Sequence, residues 1–125
     1  MNRRRTPQPR DYLESPSHFG RYKKARWKPV ESPEEQDALV AAQWQHQVSL
    51  LTNLTLVIND WTRDGLAEML GRERQYIWDR LQGRTPMSVR DFAALERILQ
   101  FQIVSPSSDE PLPVEMEEEP KRMAR

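Results

Sequence analysis

The sequence predicts an all-α protein, a small helical bundle with a disordered tail at each end. Apolar residues recur at spacings of three and four in the middle of the chain, and no segment alternates apolar and polar residues over the length of a strand. Only four of the 125 residues are glycine. The length suits one domain with tails, and we expect a helical domain over residues 32–104.

The first 31 residues combine prolines with positive charge. Residues 1–30 contain nine basic and two acidic side chains, a balance of +7, and their aromatic residues follow no period. Such a segment cannot bury a core of its own, so residues 1–31 are predicted to form a basic, disordered arm.

The other end has the opposite charge. Residues 105–125 contain six acidic and three basic side chains together with four prolines, a balance of −3. We predict an acidic, disordered tail here, and the asymmetry between the two ends is notable because the formal net charge of the whole chain is zero.

The first helix is predicted to begin at Ser32-Pro33-Glu34-Glu35. Ser32 can accept a hydrogen bond from the Glu35 amide, Pro33 suits the first helical position, and Glu35 can close a capping box. The pattern fits one long helix or two, with a break near residues 52–53. The predicted apolar face is Val40, Trp44, Val48, Leu51, Leu54 or Thr55, and Ile58.

Residues 34–50 of this helix have few charges after Asp37 and are rich in glutamine. Part of this stretch is therefore a candidate surface for a protein partner rather than core. The stripe of Val40, Trp44 and Val48 is a candidate for dimerisation.

Two glycines are predicted to end the next two helices. Thr62 can cap the second helix, and Gly71 can end it because glycine tolerates the left-handed turn. The third helix is predicted over residues 73–82, with Gly83 at its end. A fourth begins at Ser88, which forms a second capping box with Asp91. Its predicted buried stripe is Phe92, Leu95, Ile98 and Leu99.

A helix, a short turn with glycine and a second helix form a helix-turn-helix at residues 62–84. The small Ala67 suits the point where the two helices cross, Gly71 follows in the turn, and Ile77 lies on the inner face of the second helix. These residues and offsets resemble the lambda-repressor-like helix-turn-helix family.

The resemblance covers residues 51–101, about half of the chain. It extends through the stretch 80–86, where an Arg-Leu-x-Gly sequence closes the third helix and a proline precedes the next. The chain departs from the family pattern at Arg72, where the turn is usually apolar, and at Arg80, where the inward position is usually aliphatic.

The resemblance implies a sequence-specific regulator of transcription, of the repressor type, that reads double-stranded DNA with the helix at 73–82. Arginine recognises guanine and glutamine recognises adenine in the major groove. Trp78 could contact a thymine methyl group or could be a core aromatic, and Asp79 could accept from cytosine or repel phosphate. The candidate base-reading residues are Arg74, Gln75, Trp78 and Asp79.

Basic side chains around this helix are candidates for phosphate contacts, which add affinity without sequence preference. Each of them could instead be an ordinary solvated charge. The candidate backbone contacts are Arg63, Arg72, Arg84, Thr85 and Arg90. Those of the basic arm are Arg3, Arg4, Arg5, Lys23, Lys24 and Arg26.

The sequence favours neither catalysis nor a cofactor. The absence of cysteine excludes disulfides, thiolate zinc ligands and cysteine nucleophiles, and His18 and His46 are the only histidines. No metal-binding histidine pair or glycine-rich nucleotide motif is present. No apolar stretch is long enough to span a bilayer, so we expect no membrane partner. The family resemblance implies a cytoplasmic, nucleoid-associated protein.

Two other functions stay open at this point. A helical protein–protein interaction module without DNA binding is favoured by the zero net charge and by Glu73 and Asp79 on the reading face, while the basic arm argues against it. The second alternative function is RNA binding through the basic arm alone. The family resemblance also implies a homodimer on two half-sites, and the acidic tail could fold over the basic surface as a DNA mimic.

Overall fold

The computed structural model describes residues 7–100, and within this range it contains four α-helices and no β-strand. The all-α prediction is therefore confirmed for the described part of the chain. No helix in this range is both long enough and apolar enough to cross a membrane. The acidic tail and Arg3, Arg4 and Arg5 lie outside the described residues. The helices are α1 (Pro33–Asn59), α2 (Arg63–Leu70), α3 (Arg74–Leu81) and α4 (Val89–Leu99).

Both predicted capping boxes are confirmed. The Ser32 hydroxyl accepts a hydrogen bond from the Glu35 amide at 3.1 Å, and the Glu35 carboxylate accepts one from the Ser32 amide at 3.2 Å. Backbone N–H groups of Glu31 and Ser32 donate to this carboxylate and lower the pKa of Glu35. Ser88 and Asp91 repeat the arrangement at the start of α4.

The first helix is continuous over 27 residues and has no break at residues 52–53. Thr55 donates its hydroxyl proton to the Leu51 carbonyl, so this threonine is accommodated inside the helix. The helix ends where Asp60 adopts a left-handed conformation with φ of 59°. Gly71 ends α2 in the same way, as its position in the sequence predicts.

All four helices contribute to one apolar core. Leu66 is fully buried at its centre, and Leu56 of α1 and Leu95 of α4 lie in the same cluster. The remaining buried members are Val48, Ala67, Ile77, Leu81 and Leu99.

The predicted apolar face of α1 is wrong in part. Val48 is buried, but Leu54 and Ile58 are 53% and 72% exposed. The side chains that α1 does turn inward include four polar ones, so periodicity of apolar residues alone pointed to the wrong face. These buried polar residues are Gln45, His46, Ser49 and Thr52.

The disordered arm is also a wrong prediction for residues 7–31, which we call the N-terminal segment. It contains two 3₁₀ turns, at Pro9–Tyr12 and Pro16–His18, and an isolated bridge joins Leu13 to Trp27. Leu13 and Phe19 are buried against the rest of the protein. Irregular backbone has no hydrophobic period, so scattered apolar residues did not indicate the burial that these two side chains achieve.

Gln45 and His46 explain why the inward face of α1 is polar. The Gln45 amide donates to the carbonyls of Arg80 and Thr85 at 2.8 and 2.9 Å, and its oxygen accepts from the Met87 amide at 2.8 Å. His46 Nδ1 accepts from the Gly20 amide at 2.8 Å. Both side chains satisfy backbone groups outside α1, at the end of α3 and in irregular segments, so these two residues are structural and not a partner surface.

Candidate functional site

The connection between α2 and α3 places one face of α3 inside the core and the other towards solvent. Ala67 and Ile77 are buried where the two helices meet, and Gly71 has a φ of 69° in the turn between them. Arg74 and Gln75, on the first turn of α3, are exposed. Trp78 and Asp79, one turn later, are half-buried.

Polar contacts link the exposed side chains of α3. The Gln75 amide donates to Asp79 Oδ1 at 2.8 Å, and Arg84 Nη1 lies 3.7 Å from the same oxygen. Arg74 Nη1 lies 3.5 Å from Asp64 Oδ2 in a pair that is largely exposed. An exposed pair of this kind contributes little to stability, so Arg74 can exchange the Asp64 carboxylate for another anion.

Trp78 is not a core residue. The guanidinium carbon of Arg63 lies over its ring, 4.1 Å from the ring centroid, in a cation–π contact. Arg63 and Trp78 therefore form one unit that joins the first turn of α2 to the outer side of α3.

A cleft of about 220 Å³ lies along one side of α3 and faces α4. We call it the Asp91 cleft, since Asp91 accepts hydrogen bonds from the Tyr76 hydroxyl at 2.8 and 3.1 Å. Arg80 Nε and Arg72 Nη2 lie 3.5 and 4.0 Å from the same carboxylate. Burial and the neighbouring Asp91 raise the pKa of Tyr76.

The Asp91 cleft accommodates Arg72 and Arg80, the two arginines that stand where the sequence resemblance implies apolar residues. Arg72 and Arg80 lie with their guanidinium groups over the Tyr76 ring, 4.5 and 3.5 Å from its centroid, and both approach Asp91. Arg80 thus faces inward, where the Asp91 carboxylate balances its charge and the Tyr76 ring packs against its guanidinium. Its partner could not be identified from sequence spacing, because Asp91 lies on another helix.

The candidate backbone contacts fall into separate groups. Arg63 and Arg84 flank the outer side of α3, whereas Arg72 and Arg90 line the Asp91 cleft. The Thr85 carbonyl accepts a hydrogen bond from Gln45 in the loop after α3. Of the basic arm, the described members Lys23, Lys24 and Arg26 are exposed on the N-terminal segment.

A second groove, of about 500 Å³, lies between the N-terminal segment and the outer side of α3. We call it the Arg21 groove. Arg63 and Trp78 line it, together with Arg10 and Arg21. The sequence pattern did not indicate these last two residues, because the segment that carries them was predicted to be disordered.

Comparisons of the chain with family models, with curated proteins and with solved structures found no match in any of the three.

Proposed function

We propose that this protein is a sequence-specific regulator of transcription that binds double-stranded DNA with α3 in the major groove. The observation that carries the proposal is the division of α3 into a buried side, held by Ile77 against Ala67, and an exposed first turn with Arg74 and Gln75. A reading helix needs both features, because its backbone must be held rigidly while its side chains reach base edges.

The side chains of this exposed face suit different bases. Arg74 can donate two hydrogen bonds to guanine, and Gln75 can pair with adenine. Asp79 can accept from the amino group of cytosine, but its contacts with Gln75 and Arg84 must then rearrange. Arg63 contacts Trp78 and Arg84 contacts Asp79, so both lie beside reading positions, where they would contact phosphates.

The experiment is a selection from random duplex DNA with the full chain, run beside the double variant Arg74→Ala/Gln75→Ala at moderate salt. We expect the wild-type protein to enrich one short sequence and the variant to lose that preference while it retains nonspecific affinity. Equal enrichment by both proteins would contradict base reading by α3. A wild-type protein that selects nothing would contradict the proposed function itself.

The control variant for this selection is Arg97→Ala. Arg97 is exposed on α4 and lines the Asp91 cleft, whose lining does not include Trp78. The variant Arg97→Ala therefore removes a positive charge without touching the proposed reading face, and its sequence preference should equal that of the wild type.

An alternative function is a helical protein–protein interaction module. The observation that favours it is an apolar patch on the last turns of α1, where Leu54, Val57 and Ile58 are 53%, 76% and 72% exposed. Exposed apolar side chains in a contiguous group are typical of binding surfaces. The same patch is a candidate for the homodimer that half-site binding would need, beside the region 34–50, where Trp44 is exposed.

Light scattering on the full chain and on Val57→Ser/Ile58→Ser distinguishes these roles. A wild-type dimer that the double substitution converts to a monomer assigns the patch to self-association. A monomer in both cases leaves the patch to a different protein, and DNA selection by that monomer would then exclude the interaction module as the main function.

A further inference from the structure

The Arg21 groove concentrates positive charge. Arg10 and Arg21 of the N-terminal segment and Arg63 of α2 line it, and none of its lining residues is acidic. The backbone that carries Arg10 is fixed, because its amide donates to the Gly83 carbonyl at 3.0 Å. The charge therefore comes from side chains whose backbone positions the fold determines.

These arginines have no carboxylate partner in the described part of the chain. The ion pairs found within residues 7–100 involve Arg72, Arg74, Arg80 and Arg84, but none of the three groove arginines. Burial and the positive charge of the nearby Arg21 lower the pKa of Arg63, which indicates that the two guanidinium groups repel each other. An anion between them would relieve this repulsion.

The rest of the groove suits something larger than a simple ion. Trp78 lies beside Arg63 and offers an aromatic edge, while Leu54 and Val57 supply apolar wall from α1. A nucleotide combines a phosphate with an apolar sugar edge and a flat base, and a groove of about 500 Å³ has room for one such unit.

We propose that the Arg21 groove binds the phosphate of a nucleotide through Arg10, Arg21 and Arg63. This inference rests on the proposed function in one respect: in a DNA complex, the phosphate is that of the strand beside the bases that α3 reads. A free nucleotide offers the same phosphate chemistry, so the experiment separates the two sources.

The DNA arm of the experiment measures binding of a 20-base-pair mixed-sequence duplex to the full chain by fluorescence anisotropy over a range of salt concentrations. Arg21→Ala should weaken binding about tenfold at low salt and reduce the salt slope of log K by about 0.9, the value for one lost phosphate contact. Arg10→Ala/Arg21→Ala should reduce the slope by about twice as much.

The matched control is Lys28→Ala. Lys28 is exposed on the same N-terminal segment and does not line the groove, so this variant removes an equal charge at a different place. It should change the affinity by less than about twofold, as a surface charge without a specific contact does. Equal effects of Arg21→Ala and Lys28→Ala would overturn the proposal.

The second arm titrates AMP and inorganic pyrophosphate into the same proteins by calorimetry. Binding of either that Arg21→Ala abolishes, in a protein that binds no duplex, assigns the groove to a free nucleotide or phosphate and contradicts the proposed function. Suppose that Arg74→Ala/Gln75→Ala loses sequence preference while Arg21→Ala changes neither the DNA affinity nor the salt slope. This result supports the proposed function and overturns the proposal that the Arg21 groove binds phosphate. A wild-type protein that binds none of the probes also overturns it.

Discussion

The two clefts beside α3 both contain several arginines, but only the Asp91 cleft contains a carboxylate to pair with them. Arg80 reaches Asp91 at 3.5 Å and lies over Tyr76, so its charge is compensated inside the protein. Arg21 and Arg63 line the other groove without an acidic neighbour among its lining residues. Arginine thus contributes to packing in the Asp91 cleft on one side of α3, and it remains available to bind an anion in the Arg21 groove on the other side.

Among the substitutions that test this difference between the two clefts, Asp91→Ala has the largest expected effect on stability. Asp91 is nearly buried, caps α4 and accepts hydrogen bonds from Tyr76, so its removal leaves Arg80 uncompensated beside the core. We expect a loss of about 3 kcal/mol in the free energy of unfolding, measured by urea denaturation. Asp64→Ala removes an exposed partner of Arg74 and should cost less than about 0.5 kcal/mol. Equal losses would contradict the structural role of the Asp91 cleft.

The second test concerns the wall of the Arg21 groove. Gly83 has a φ of 75°, and a Cβ there would lie 2.7 Å from the Phe19 ring of the N-terminal segment. We expect Gly83→Ala to cost more than about 2 kcal/mol, since strain and overpacking combine. Gly71→Ala has a similar φ of 69° but open space around it, and should cost only about 1 kcal/mol.

Equal costs at the two glycines, in the same urea experiment, would indicate that the N-terminal segment does not pack on the loop after α3. The comparison is informative because both substitutions carry the same backbone penalty. Only the steric term differs between them, and that term depends on Phe19.

A smaller, pH-dependent effect is expected from His46, which lies behind the same wall. Its Nδ1 accepts from Gly20, so the ring proton resides on Nε2, which donates to the Tyr22 carbonyl at 3.1 Å. Burial lowers the pKa of His46 below its ordinary value of 6.5. The unfolded chain therefore takes up the proton first as the pH falls, and the stability that is complete above pH 6.5 decreases below it.

The measurement is urea denaturation of the wild type and of His46→Gln at pH 7.5 and at pH 5. Carboxylates titrate in both proteins, so the difference between their pH dependences isolates the imidazole. We expect the wild type to lose more stability than the variant on acidification. Identical pH dependences would contradict a neutral, buried imidazole.

The smallest expected change in stability is that of Arg21→Ala. Removal of a charge that repels Arg63 should leave the free energy of unfolding within about 0.5 kcal/mol of the wild type, with any change in the stabilising direction. A thermal melt in low salt checks this. A loss as large as that of Asp91→Ala would make the two clefts equivalent and the comparison wrong.

Features that depend on neighbours in sequence were predictable. The capping residues Ser32, Thr62 and Ser88 and the turn at Gly71 act over three or four positions, and all four were predicted correctly. The exposure of the first turn of α3 also follows from local spacing, since Ile77 fixes which side faces the core.

Features that depend on distant partners were not predictable. Gln45 bonds to backbone atoms 35, 40 and 42 positions away, and no local pattern distinguishes it from a surface glutamine. The contacts of Phe19 and Arg10 with residues near Gly83 are equally remote in sequence. The Arg21 groove is formed by these contacts, so sequence spacing alone could not locate it.

The polar inner face of α1 also affects what happens when the domain opens locally. The N-terminal segment is held over His46 and Ser49 by few backbone hydrogen bonds, so it is the part expected to detach first in native-state hydrogen exchange. Its departure exposes the imidazole of His46 together with the apolar side chains of Leu13 and Phe19, while Leu66 and its neighbours stay covered by the four helices. The apolar surface that a partly opened molecule offers to other chains is therefore confined to a few side chains such as Leu13 and Phe19, and the main core does not contribute to it.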